Sequence, residues 1–190
     1  MKIVQRRSPN FSETSHEKVG VQLHKTLGLM PGTLNWLQNP ESQSSSHYLI
    51  AKDGTIYQLV YLKDRSWSSG RINKPSTRGK KMMSRYPQNT KPGEYLIQIE
   101  VECLEHETYT EAQYTSIVWL MQNVFDFDTS AENLLTHQDT ASYKPHLEAE
   151  RTHILKMLGN NNQVTIAILL LKVEILKLQI MLKKLLSTGG

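Results

Sequence analysis

The chain has 190 residues, with 22 Lys and Arg, 18 Asp and Glu, and a single cysteine. Hydrophobic residues make up 38% and charged residues 21%, which excludes wholesale disorder, and the length suits one domain with an appendage. The lone Cys103 excludes an intramolecular disulfide framework and a Cys-rich zinc finger. The net charge of +4 favours anionic surfaces without specifying which.

The amino-terminal sequence MKIVQRRSPN has no apolar segment of the kind found in secretory signals. No apolar run reaches the roughly 18 residues that a spanning helix needs. We therefore expect a soluble protein that is made in the cytoplasm.

Apolar and alternating segments predict the strands of one domain over residues 1–158. The segment Tyr95–Val101 alternates with period two, which predicts a strand near the centre of a sheet. An Asp-Gly turn joins two apolar runs, which predicts a hairpin. The other strands are predicted at Val19–Leu23, with His24 at its end, at Tyr48–Ile50 and at Ile56–Leu62.

Helical spacing of apolar residues predicts helices at Thr110–Phe125 and at Ala149–Leu158, the second ended by Gly159 and three asparagines. Strands mixed with helices indicate an α/β domain with a single mixed β-sheet flanked by helices. Seven basic residues and no acid lie between Arg71 and Lys91, among prolines and glycines that indicate a long loop. Such a loop suits phosphate or anionic wall polymers, or is simply solvated surface.

Residues 159–190 form a separate segment with helical periodicity. One apolar stripe steps by three and four residues, as in a coiled coil, and a second stripe follows the same rule on another face. The first stripe contains Ile168, Leu171, Ile175, Leu178, Leu182 and Leu185, and the second contains Ile166, Leu169, Val173, Leu176 and Ile180. Two faces favour a homo-oligomer of three or more chains, with a tetramer preferred. A membrane-lying helix with a cationic end, or docking on the same chain, are the competing interpretations.

Three of the seven histidines lie where sites are usually built. His24 ends an apolar strand, and His137 and His146 bracket a polar loop that also contains Lys144. Three neutral imidazoles would give a tetrahedral zinc site with one position open, although this spacing alone is only moderately specific. Asp139 is an alternative ligand to His146. His16, His106 and His153 are interpreted as surface or packing residues.

Several blocks of the sequence, in order, resemble the type-2 N-acetylmuramoyl-L-alanine amidases. This family includes phage endolysins, bacterial autolysins and peptidoglycan recognition proteins, and the resemblance covers roughly residues 1–158. The blocks are VQLHKT, SSSHYLIAKDGTIYQLV, RSWSSG, YLIQIEVE and LTHQDTASYKPH.

The resemblance implies one Zn²⁺ per chain, held by His24, His137 and His146. It places the family's strand glutamate at Glu100 and a lysine near the third ligand at Lys144. His47, Trp67 and Arg71 correspond to positions that line the substrate, with a structural role as the alternative for His47.

The implied reaction is hydrolysis of the amide between N-acetylmuramic acid and L-alanine. Zinc makes water nucleophilic at neutral pH, Glu100 would transfer its proton to the leaving amine, and Lys144 or the metal would stabilise the oxyanion. The family's usual Trp-His-Ala-Gly is Trp67-Ser68-Ser69-Gly70 here, Gln98 replaces a common Gly, and Ser46 replaces the Tyr of some relatives.

The sequence therefore predicts a zinc amidase of the phage endolysin type that degrades the cell wall and lyses the host. We expect it to wait in the bacterial host cytoplasm and to reach peptidoglycan after the membrane is permeabilised. A non-catalytic peptidoglycan-binding module is the alternative. A nucleic-acid binder is not expected, because no aromatic-basic motif accompanies the positive charge.

Overall fold

The computed structural model describes residues 1–87, 90–125 and 130–188, except for the side chains of 161–162, 165 and 181–188. The chain divides into two compact units, Met1–Ile154 and Leu155–Gly190.

In the described part of the first unit, eight short strands form two sheets. The strands are β1 (Ile3–Gln5), β2 (Phe11–Glu13), β3 (Gly20–Lys25), β4 (Tyr48–Ile50), β5 (Ile56–Gln58), β6 (Asp64–Ser66), β7 (Leu96–Val101) and β8 (Leu134–Thr136). Six of them form one sheet in the order β1-β5-β4-β7-β3-β8, and β2 pairs with β6. The large sheet is mixed, since β5 and β4 are antiparallel and the other neighbours are parallel. The predicted α/β class and the central position of β7 are confirmed.

Six α-helices accompany the strands among the residues that the structure describes. They are α1 (Gly32–Gln38), α2 (Thr77–Met83), α3 (Pro92–Tyr95), α4 (Glu111–Asn123), α5 (His137–Thr140) and α6 (Glu148–Thr188). The predicted helix at Thr110–Phe125 is confirmed as α4. The Thr110 hydroxyl caps this helix by accepting a hydrogen bond from the Gln113 backbone amide. The side-chain oxygen of Gln113 in turn accepts a hydrogen bond from the Thr110 backbone amide.

The two faces of the central strands differ in polarity. Val21, Leu23, Ile97 and Ile99 lie on one face and are fully buried. The opposite face carries two cross-strand pairs in register, Gln22 with Gln98 and His24 with Glu100. Since side chains alternate along a strand, this register lines up four polar groups on one side of the sheet.

The predicted hairpin is confirmed, with β4 and β5 antiparallel around the Asp53-Gly54 turn. Gly54 has a φ of +84°, a value that suits glycine at a tight turn. The Asp53 carboxylate accepts a hydrogen bond from the Thr55 amide, 2.8 Å away, and so closes the turn.

Two predictions about helix boundaries were wrong. The basic stretch is not one long loop, because the Ser76 hydroxyl caps the helix α2 within it. Gly159 does not end a helix, because α6 continues through it to Thr188. Glycine and asparagine lower helix propensity by only about 1 kcal/mol per residue or less, and strong helix formers follow them.

Helix α6 exposes many large apolar side chains between Val164 and Ile180. In the described part, the residues from Val164 to Ile180 that carry such side chains are each 46–62% exposed. No helix of the described residues is long and apolar enough to cross a membrane.

Candidate active site

Two histidines from distant parts of the chain meet on the polar face of the sheet. His24 comes from the end of β3, and His137 begins α5 directly after β8, the strand next to β3. Their Nδ1 atoms lie 2.8 Å apart. Burial lowers the pKa of His24 to about 4 and that of His137 to about 2, so both rings are neutral at physiological pH. Two neutral imidazoles that face each other through Nδ1 suit a shared cation.

Glu100 lies beside this pair. Its Oε1 is 3.7 Å from Nδ1 of His24, and its Oε2 is buried without a hydrogen-bond partner in the described part of the chain. Burial raises the pKa of Glu100 to about 8, and the Lys144 ammonium opposes this shift. A buried carboxyl oxygen without a partner usually indicates a missing proton, water or cation.

Lys144 contributes positive charge to the same place. It lowers the pKa of Glu100, His24 and His137 through its charge. Its Nζ also lies 5.2 Å above the ring of Tyr143. The structure therefore brings together four of the five residues that the sequence assigned to metal binding and catalysis.

The fifth, His146, is exposed in the segment between α5 and α6. Among the described residues, no group of three His, Cys, Asp or Glu side chains is arranged to hold a metal. The donor chemistry of the two buried imidazoles fits zinc, whereas the role of His146 depends on the sequence resemblance alone.

The Asp139 carboxylate is buried and hydrogen-bonded to neighbouring parts of the chain. Its carboxylate accepts hydrogen bonds from the Thr136 amide at 2.8 Å, from the Ser76 hydroxyl at 2.6 Å and from Arg78 at 3.0 Å. It thereby ties α2 to the turn that begins with His137. These contacts leave it poorly suited to the ligand role considered for it from the sequence.

His47 is fully buried, and both of its ring nitrogens are bonded within the protein. Nε2 lies 3.0 Å from the Asp64 carbonyl, which only accepts, so this nitrogen donates. Nδ1 accepts a hydrogen bond from the backbone amide of Gln98, 2.9 Å away. Burial lowers the pKa of His47 to about 3. This arrangement suits the structural role that the sequence left open for His47, and its contact with substrate stays a prediction.

A cleft of about 390 Å³ opens beside the site, and Glu100 lines it. Residues of α1 also line the cleft, among them Trp36, whose side chain is 56% exposed. The sequence interpretation missed Trp36. Its signal was the helical spacing in α1, where Leu34 and Leu37 lie on the buried face and Trp36 lies off it.

Trp67 and Arg71 are not among the residues that line this cleft. Trp67 lines a polar hollow with Arg65 and Lys91, and its indole donates to the Ser12 hydroxyl, 2.9 Å away. Arg71 is exposed. Substrate contact by these two residues stays a prediction.

Three of the seven basic residues in the basic stretch form ion pairs with acids of the same chain. Arg78 pairs with Asp139 and Glu148, and Lys81 and Arg85 pair with Glu132. Its role as a docking surface for acidic substrate is therefore weaker than its composition indicated.

Comparison with known proteins agrees with this geometry. The profile of the N-acetylmuramoyl-L-alanine amidase family matches residues 16–149. N-acetylmuramoyl-L-alanine amidase A of Achromobacter lyticus is 39% identical over 67 residues, which cover 35% of this chain and 38% of that protein. The 1,6-anhydro-N-acetylmuramyl-L-alanine amidase AmpD of Escherichia coli (strain K12) is 30% identical over 98 residues, covering 51% and 47%.

The solved structure of a mutant endolysin from Bacillus subtilis shares the fold. It aligns with a TM-score of 0.61 at 17% identity, over 83% of this chain and 99% of that one. The fold is thus that of the amidase structures. The chain belongs to the N-acetylmuramoyl-L-alanine amidase family. It spans about half or less of the length of the two sequence relatives described above.

Proposed function

We propose that this protein hydrolyses the amide bond between N-acetylmuramic acid and L-alanine in peptidoglycan. The observation that carries the proposal is the convergence of the His24 and His137 Nδ1 atoms beside the buried Glu100. Family membership supplies the substrate class. The expectations of an endolysin, of storage in the host cytoplasm and of host lysis belong to the same proposal.

His24 and His137 would hold one Zn²⁺, with His146 as the third ligand. When bound, zinc supplies a Lewis acid that polarises a carbonyl oxygen and acidifies water. Glu100 lines the cleft and would accept a proton there and deliver it to the amine that leaves. Lys144 would stabilise negative charge on the substrate oxygen, a type of contact worth about 2.7–4 kcal/mol of barrier.

Substrate would lie in the cleft between Glu100 and α1. Trp36 offers an exposed aromatic face at its wall, which suits an apolar surface of the substrate. Trp67 and Arg71 would contact more distant parts of a polymeric substrate.

Cleavage of purified peptidoglycan, followed by mass spectrometry of the products, tests the proposal. We expect free stem peptides that begin at L-alanine, lost with a chelator and restored by zinc. Products cut at another bond would contradict the amidase assignment.

The exposure of His146 favours one second candidate, a peptidoglycan-binding module without activity. A protein that retains only two metal ligands would still bind a muropeptide in the same cleft. Tight binding to cell walls without any released peptide would establish this candidate in place of the enzyme.

We further propose that the second unit assembles chains into homo-oligomers of three or more. Ile168, Leu171, Ile175 and Leu178 define seam A, and Ile166, Leu169, Val173, Leu176 and Ile180 define seam B. All nine side chains are 46–62% exposed and follow heptad spacing. The side chains of Leu182 and Leu185, predicted to extend seam A, lie outside the described residues. Arrayed catalytic units would be retained longer on a polymeric substrate.

A further inference from the structure

Three buried polar side chains, Gln98, Ser69 and Gln22, lie in contact with one another next to His24. Nε2 of His24 is 2.5 Å from Oε1 of Gln98, and the Ser69 hydroxyl lies 3.1 Å from the same oxygen. Ser69 is also 2.6 Å from Oε1 of Gln22. Both glutamines are fully buried, and Ser69 is nearly so. No part of the proposed reaction uses these three residues directly.

Backbone carbonyls fix which way the two amides face. The Gln22 amide nitrogen lies 3.2 Å from the Thr136 carbonyl, and the Gln98 amide nitrogen lies 3.5 Å from the Leu96 carbonyl. A carbonyl oxygen only accepts, so each NH₂ group must face its carbonyl and each amide oxygen must face the other way. The oxygen of Gln98 therefore faces His24, and that of Gln22 faces Ser69.

This orientation determines the tautomer of His24. Because the Gln98 oxygen only accepts, Nε2 of His24 must carry the proton and donate it. A neutral imidazole has one N–H, so Nδ1 is left with its lone pair directed toward His137. A ligand nitrogen for a metal needs this free lone pair.

We propose that Gln98 is a positioning residue that holds His24 in its Nε2–H tautomer, with the Leu96 carbonyl orienting the Gln98 side-chain amide. The inference rests on the proposed function in that the Nδ1 lone pair is taken to serve zinc. Without the Gln98 oxygen, the buried Nε2–H has no acceptor, and the Nδ1–H tautomer, which donates to His137, becomes favourable.

The test compares the full-length protein with three variants at buried glutamines. Gln98→Leu removes the acceptor at similar volume, and Gln98→Glu restores one. Gln113→Leu is the matched control, since Gln113 is equally buried but donates to the Glu102 carbonyl, 2.8 Å away, and not to His24. Circular dichroism and thermal melting identify any variant that fails to fold.

Two readouts are measured on each protein. The first is the ¹⁵N spectrum of the imidazoles in metal-free protein, with the His24 signals assigned by their loss in His24→Gln. The second is the zinc dissociation constant from competition with a chelator. We expect wild type, Gln98→Glu and Gln113→Leu to carry the His24 proton on Nε2. Gln98→Leu should shift it toward Nδ1 and weaken zinc binding about 10–100-fold.

Three results would overturn the proposal. They are a wild-type His24 protonated on Nδ1, an unchanged tautomer or zinc constant in Gln98→Leu, and an equal shift in Gln113→Leu. The nitrogen spectrum needs neither zinc nor substrate. If the wild-type protein proves to bind no zinc or to cut no amide, the proposed function fails while the spectrum still decides the role of Gln98.

Discussion

The Nδ1 atoms of His24 and His137 lie 2.8 Å apart although 113 positions separate the two residues in the chain. Strand pairing accounts for this approach, because β3 and β8 are parallel neighbours and each histidine lies at or just after the carboxyl end of its strand. The Tyr109 hydroxyl holds the end of β3 by donating to the His24 carbonyl, 3.1 Å away. The pairing of β3 with β8 therefore fixes the backbone positions of both histidines.

Replacing Glu100 with glutamine should remove the proton carrier and keep the shape of the side chain. We expect Glu100→Gln to lower the rate of amide cleavage about 10²–10⁴-fold, the usual contribution of a general acid or base. Zinc affinity should stay within a few-fold of wild type, as measured by chelator competition. Glu105→Gln, at an exposed position, is the charge-matched control and should retain full activity. Full activity in Glu100→Gln would exclude Glu100 as the proton carrier.

The three proposed zinc ligands can be separated by single substitutions. His24→Ala, His137→Ala and His146→Ala should each weaken zinc binding by more than about 100-fold, since a direct ligand contributes more than the residues that orient it. Equilibrium dialysis with metal analysis measures the constants, and His106→Ala at an exposed position is the control. Wild-type affinity in His146→Ala would remove His146 from the ligand set and leave a site built on the two buried histidines.

How far the sequence predicts this site differs from residue to residue. His24 was predicted from a strand end, His137 from a polar loop and Glu100 from the family resemblance, and the structure brings these residues together. The surroundings of His146 do not follow, because it lies in a loop and motif spacing does not determine loop conformation. The Gln98–His24 contact could not be predicted from the sequence, because it depends on the register of β3 against β7, which only the assembled sheet shows.

The fold shows the same division. Alternation predicted β7, and a turn motif predicted the β4–β5 hairpin, because both signals are local. The predictions from composition were wrong where glycine, proline or asparagine lay near a helix cap or a run of strong helix formers. Glycine and proline in the basic stretch concealed the cap at Ser76, and the run after Gly159 lowered helix propensity without ending α6.

Trp36 should affect the binding of substrate and not the chemical step. We expect Trp36→Ala to raise KM with little change in kcat, as when a contact is equally strong in the ground and transition states. Its side chain is already 56% exposed, so the fold should tolerate the change. Steady-state kinetics on a soluble muropeptide measures both constants. Tyr61→Ala, at an exposed aromatic outside the cleft lining, is the control, and an equal effect there would contradict a specific role for Trp36.

Lys18 should make stability depend on pH above neutrality. Burial lowers its pKa from 10.5 to about 8, although Glu94 and Asp64 oppose the shift. Between these two values the unfolded chain holds a proton that the native protein lacks, so this residue makes unfolding less favourable as pH rises. We expect the unfolding free energy of wild type minus that of Lys18→Met to increase from pH 8 to 10.5, as measured by urea titration. The same comparison with the exposed Lys63→Met should show no such trend.

The two seams of α6 predict how the oligomer responds to substitution. In a heptad repeat the seams are displaced by two residues, which places them roughly 150° apart around the helix. Each helix would then contact one neighbour through seam A and another through seam B.

We expect light scattering to show three or more chains for wild type, dimers when either seam is changed to glutamine, and monomers when both are changed. Lys172→Gln, between the seams, should leave the mass unchanged. A monomeric wild type would contradict assembly through α6, and monomers after the loss of one seam would contradict pairing of each seam with the same seam of a neighbour.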